Sequence, residues 1–142
     1  MHWMNPVCLD GHLYGVDGER EDNSRLVCVN ADTGSELWSE RLEWMDDDLG
    51  RRFNRPAVKQ GILRASLLRV DGRFLCLGEF GSLSWLDLSP SGCKVLQRTQ
   101  LFYAQQTWSL PAVSHGLLYV SQQAKDIDEK PARLICYDLR GK

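Results

Sequence analysis

One pattern recurs along this chain. An apolar stretch ends at an Asp-Gly-type turn, a second apolar stretch follows, and a third, after a polar loop, closes on a glycine. The clearest copy runs from Pro6 to Trp38, as PVCLDGHLYGVDG and then RLVCVNADTGSELW. A second, SLLRVDGRFLCLGEFGSLSWLDLSPSGCKVL, runs from Ser66 to Leu96. A third, PAVSHGLLYVSQQ with RLICYDLRG, runs from Pro111 to Gly141. A chain that repeats at about 50 residues is a stack of like units, none of which can bury its apolar surface alone. The turn glycines Gly11, Gly72 and Gly116 are unevenly spaced, and variable loops account for this without disturbing the strands.

Each unit reads as short β-branched and aromatic strands bounded by Gly, Asp, Asn or Pro. Strands are expected at 7–9, 12–16, 26–30 and 36–39, then at 66–70, 73–78, 82–88 and 94–100, then at 112–115, 117–122 and 133–139. Four antiparallel strands make a propeller blade. The expected fold is therefore all-β, a partial β-propeller of about three blades. Blade 1 spans about 5–45, blade 2 about 61–103, and an incomplete blade 3 about 104–142. The charged stretch 46–60, broken by Gly50 and Pro56, is expected as a loop insert, and 124–132 as a second insert. No amphipathic helix of three turns is expected, and 35–46 reads as a strand followed by a loop.

Composition excludes several classes. A formal net charge of −2 does not point to nucleic acid or to anionic membrane surfaces. The trio Arg51, Arg52 and Arg55 reads as a solvated loop. No apolar run reaches the ~18 residues of a membrane helix, and the opening MHWMNPV lacks the features of a signal peptide. The five cysteines are too dispersed for a zinc knuckle or a CxxC pair. Cys28 and Cys136 stand at equivalent repeat positions, where the middle unit has Trp85, so they read as packing residues.

The segment Val29–Trp38, VNADTGSELW, resembles the tryptophan-docking signature of pyrroloquinoline-quinone-like β-propeller repeats. The chain looks like the C-terminal blades of a longer bacterial propeller protein. The resemblance implies that Trp38 ties its blade to the next and that Gly34 closes the turn before it. The middle unit keeps the turn but has Val95-Leu96, and the third ends before this position. Family members include quinone-dependent alcohol dehydrogenases, outer-membrane assembly lipoproteins and secreted propellers, which implies a periplasmic or secreted setting. Its dehydrogenases hold the quinone and Ca²⁺ with Glu, Asn and Asp beneath an adjacent-cysteine disulfide. This chain has no Cys-Cys pair, and none of its acidic residues maps onto a ligand.

Candidate sites follow from the repeat register. Trp3, Arg64 and Trp108 stand at the same offset before the three turn glycines, two of them in Trp-x-x-Pro. In a propeller these connections converge on one face near the axis. His2, Trp3, Asn5, Arg64, Thr107 and Trp108 are therefore the candidate ligand rim. The competing reading is that both indoles pack against the next blade. Glu79 reads as an exposed turn acid. The Asp46-Asp47-Asp48 run reads as a solvated loop rather than a cation site, and 17–23 as a hairpin tip. No nucleophile elbow, His-Asp pairing or phosphate loop is present. The expected function is a non-enzymatic binding or scaffold segment without catalytic residues, metal or cofactor. The alternative is a fragment of a quinone-dependent alcohol dehydrogenase, with pyrroloquinoline quinone and Ca²⁺, whose catalytic residues lie elsewhere. Expected partners are the remaining blades or another copy, or a protein or peptide. A peptide could add as a strand to an open edge.

Overall fold

The computed structural model describes residues 4–18, 20 and 23–141. Blade 1 comprises β1 (Val7–Leu9), β2 (His12–Asp17), β3 (Arg25–Asn30) and β4 (Glu36–Glu40), paired in that order. Next come β5 (Glu43–Asp46), the short helix α1 (Asp47–Arg52) and β6 (Val58–Gly61), where β5 and β6 form a separate hairpin. Blade 2 is β7 (Ser66–Val70), β8 (Arg73–Leu77), β9 (Ser82–Ser89) and β10 (Gly92–Gln100). Blade 3 is β11 (Ala112–Ser114), β12 (Leu117–Gln122) and β13 (Arg133–Asp138). Every pairing within the blades is antiparallel and sequential. The fold is all-β, made of partial propeller blades.

The first hairpin of each blade uses one device. Leu9 pairs with His12, Val70 with Arg73, and Ser114 with Leu117, leaving two-residue loops. Both loop residues have positive φ: 47° and 74° at Asp10-Gly11, 48° and 76° at Asp71-Gly72, and 51° and 75° at His115-Gly116. That is the type I′ turn, whose twist matches the flanking strands. The signature after β3 is also local chemistry. The Asn30 carboxamide oxygen accepts from the Asp32 and Thr33 amides at 3.1 and 2.9 Å, and Gly34, at φ +72°, donates to the Asn30 carbonyl. An Asx turn followed by a left-handed glycine reverses the chain into β4.

Two apolar layers hold the blades together. Tyr14, Leu26 and Cys28 of blade 1 meet Leu67, Phe74, Cys76 and Leu86 of blade 2. Leu75, Leu77 and Leu83, on the other face of blade 2, meet Leu118 and Val120 of blade 3. Blade 2 is thus covered on both faces, which is why Phe74–Leu77 form an uninterrupted buried run. β12 alternates half-buried and buried residues because only one of its faces is covered. Trp38 crosses the first layer: its indole N–H donates to the Ser89 carbonyl at 2.8 Å, and its ring lies 6.3 Å from that of Tyr14.

The insert departs from the expected loop. Asp46 is buried and caps α1, accepting from the Leu49 amide at 2.9 Å. Asp47 and Asp48 occupy the first turn and Arg51 and Arg52 the last, a charge order that complements the helix dipole. Gly50 acts through close approach rather than as a helix breaker, since a Cβ there would lie 2.4 Å from the Pro56 carbonyl oxygen. The segment 43–46, expected as loop, is strand β5. The hairpin is fastened to blade 2 by Arg98, whose guanidinium lies 4.0 Å from the Trp44 ring centroid. It is fastened to the following segment by the Tyr103 hydroxyl, which donates to Asp46 at 2.8 Å. The arginine trio is only partly solvated, because Arg52 pairs with Asp48 and Asp128 and lies over Tyr103. No helix among the described residues is long and apolar enough to cross a membrane.

Two measurements check this packing. Trp38→Phe removes the N–H···O=C bond to Ser89 and keeps a ring, so urea unfolding should show a loss of about 1 kcal/mol. Trp38→Ala also empties part of the layer and should lose about 3 kcal/mol. The cysteines give a pH signature. Burial pushes the Cys76 thiol up to about 12, and burial with the nearby Glu40 charge pushes Cys93 to about 12. The unfolded chain releases these protons near the ordinary value of 9.0, earlier than the folded chain does. Stability should therefore be intact below pH 9 and fall as the pH rises toward 12. At about pH 8, with the chain dilute enough to be monomeric, a disulfide reagent should reach exposed Cys8 and Cys136 first, and buried Cys28 and Cys76 only on unfolding.

Candidate functional site

Three connections of blades 2 and 3 meet at one end of the sheets. Arg64 lies two residues before β7, Glu79 in the turn between β8 and β9, and Trp108 before β11. Backbone bonds fix the meeting. The Glu79 amide donates to the Ile62 carbonyl at 3.2 Å, and the Thr107 amide donates to the Glu79 carbonyl at 3.1 Å. The Leu63 carbonyl accepts from both the Ala65 amide and the Ser24 hydroxyl, at 3.0 and 2.6 Å, which holds the chain on either side of Arg64.

The side chains complete the arrangement. Glu79 is buried, at 3% exposure. Its Oε2 accepts from Arg64 Nε at 2.9 Å, and its Oε1 accepts from Arg64 Nη2 at 2.9 Å and Trp108 Nε1 at 3.1 Å. The Arg64 guanidinium also lies 5.4 Å from the Trp108 ring centroid, within cation–π range. In the pair, the Arg64 side chain is 29% exposed and the Glu79 side chain 4%, so solvent meets the guanidinium rather than the carboxylate. These groups line an open cleft of about 420 Å³, with Leu63, Gln105 and Gln106 among its other walls. Leu63 and Gln106 both have positive φ, 47° and 63°, an uncommon conformation for such residues. A smaller cavity of about 280 Å³ lies beside β6, and its charged lining groups, Glu43 and Lys59, pair with each other.

The expected rim is only partly assembled here. Arg64 and Trp108 come together. Thr107 is fully buried, and its hydroxyl has no hydrogen-bond partner among the described residues. Asn5 is exposed and does not line the cleft. His2 and Trp3 lie outside the described residues. Glu79 is not the exposed turn acid that its GEFG context suggested. Its turn lies where two connections close over blade 2, and an arginine and an indole take up its oxygens. A repeat signal was available for it: Glu79 and Gln123 stand at the same offset after Gly72 and Gly116, and the Gln123 carboxamide accepts from the Trp108 amide at 2.9 Å.

With both oxygens occupied, Glu79 is a positioning group and not a free base. Among the described residues, no group of three or more His, Cys, Asp or Glu side chains could hold a metal ion. The cleft does not fit a Ca²⁺-bound quinone, because its one carboxylate is already closed by Arg64 and Trp108. What the cleft offers is a held guanidinium, an indole face and two side-chain amides, which recognise carbonyl or carboxylate oxygens.

No protein-family model and no curated protein sequence matches the chain. A solved structure to which it is similar is BamB from Moraxella catarrhalis, at a TM-score of 0.31 and 12% identity, covering 82% of this chain. The chain spans 39% of the length of that structure.

Removing the buried carboxylate tests the arrangement. Glu79→Ala leaves Arg64 uncompensated and takes the carboxylate acceptor away from the Trp108 indole, so urea unfolding should show a loss of about 3 kcal/mol. Glu79→Gln keeps an acceptor and should lose less. Equal losses would show that charge pairing does not hold the cleft.

Proposed function

We propose that this chain is a non-enzymatic binding or scaffold segment of a β-propeller of the pyrroloquinoline-quinone-like repeat type. Its recognition surface is the cleft around Arg64 and Trp108, and its ligand is a peptide segment presenting carboxylate or carbonyl oxygens. The observation that carries this reading is the use of Glu79. A buried carboxylate holds an arginine and a tryptophan in fixed poses at the mouth of a cleft. Arginine and tryptophan are the residue types that dominate binding energy at protein interfaces, and fixing them beforehand lowers the entropy cost of association.

Titration of the ¹⁵N-labelled chain with an acetylated acidic tetrapeptide tests it. The Trp108 indole N–H resonance should shift on saturation. Arg64→Ala should weaken binding by roughly tenfold, equivalent to about 1.4 kcal/mol. A resonance that stays in place argues against the cleft as the peptide site. Incubation with pyrroloquinoline quinone and Ca²⁺, followed by a dye-reduction assay with primary alcohols, should give no turnover above background. Reproducible turnover would overturn the non-enzymatic reading.

A further inference from the structure

The geometry points to head-to-tail association of this chain with a second copy of itself. The outward face of blade 3 in one copy is seated on the outward face of blade 1 in the next. The strand registers carry the argument. Cross-strand rows on one face are Val7–Tyr14–Cys28 in blade 1, Leu68–Leu75–Trp85 in blade 2 and Ala112–Tyr119–Cys136 in blade 3. Rows on the opposite face are Cys8–Leu13–Val29, Arg69–Phe74–Leu86 and Val113–Leu118–Tyr137. The first-face row of blade 1 packs with Phe74 and Leu86 of blade 2. The first-face row of blade 2 packs with Val113, Leu118 and Tyr137 of blade 3. The same interface is thus built twice, always from the first face of one blade to the second face of the next.

Blade 3 presents a third copy of the first face, and among the described residues no other blade packs on it. Leu26, Leu83 and Leu134 occupy the same repeat position, and their exposures are 0%, 8% and 72%. Cys28 is fully buried, whereas its counterpart Cys136 is exposed. Blade 1 presents the complementary second face, where Cys8 is exposed, Leu13 and Val29 are half-buried and Val27 is buried. The face that would satisfy blade 3 is therefore carried by the chain itself, as a continuation of interfaces already formed within it. An indole lock is not required, because blade 2 docks on blade 3 with Gln97 at the register position that Trp38 holds in blade 1, so that the expected match of Val95-Leu96 to Leu37-Trp38 is shifted by one residue. A net charge of −2 offers little repulsion between copies. Such an interface is heterologous, giving a ring if the rotation closes and a longer arc if it does not.

Sedimentation equilibrium under reducing conditions tests the assignment. The wild-type chain should show at least twice its 16.2 kDa mass as concentration rises. Leu134→Asp should sediment as a monomer with the urea midpoint of the wild-type chain at a dilution where that too is monomeric, because within one copy that side chain is already exposed. Leu13→Asp on the other face should also be monomeric, and Cys8→Asp, at an exposed position, replaces it if folding is disturbed. An equimolar mixture of the two face variants should recover a dimer, because each keeps the face that the other lacks. A monomeric wild type, a Leu134→Asp chain that still assembles, or a mixture that stays monomeric would each overturn head-to-tail pairing.

Discussion

Everything in this molecule depends on the packing of one short antiparallel sheet against the next. A sheet of four strands of this length cannot bury enough apolar surface by itself, and the chain solves this by stacking. Blade 2 is covered on both faces, so its β8 is buried along four successive residues. Blades 1 and 3 each have one covered face and one outward face. Trp38 strengthens the first junction by combining a large ring with a single hydrogen bond to the Ser89 carbonyl. The second junction holds by aliphatic and aromatic packing without an equivalent indole.

The candidate site is a by-product of that stacking. Stacked blades bring their entering and crossing connections to the same end, and there Arg64, Glu79 and Trp108 meet. A carboxylate buried at this junction must be paired, because leaving it alone would cost several kcal/mol. Arg64 and Trp108 satisfy it, and both are in turn held still by it. The chemistry is that of recognition: the carboxylate is spent on holding its neighbours, and the guanidinium is the part left facing solvent.

Much of the architecture was legible along the chain because it rests on local rules. The Asp-Gly and His-Gly turns have the backbone angles that two-residue hairpins require. Asn30 and Gly34 form their turn from contacts within a few residues. The segment from Asp46 was harder to read. Its acidic run and Gly50 suggested a solvated loop, yet Asp46 is a helix cap and Gly50 is needed for close approach to Pro56. The cap followed by first-turn acids and last-turn arginines was present in the sequence, but a helix of under two turns gives too few residues for a periodicity to show.

The repeat, the turn positions and the alternation that assigns each apolar residue to one face or the other can all be read along the chain. These follow from steric limits on φ and ψ and from the two-residue period of a strand. The meeting of Arg64 with Trp108, the burial of Glu79 and the contrast between buried Leu26 and exposed Leu134 were decided only by the tertiary structure. Those properties belong to groups far apart in the chain, and their environment depends on which blade, if any, lies against them. A carboxylate in a glycine-flanked turn is a solvated acid or a buried anchor according to what closes over it, and a repeat carries no local record of that.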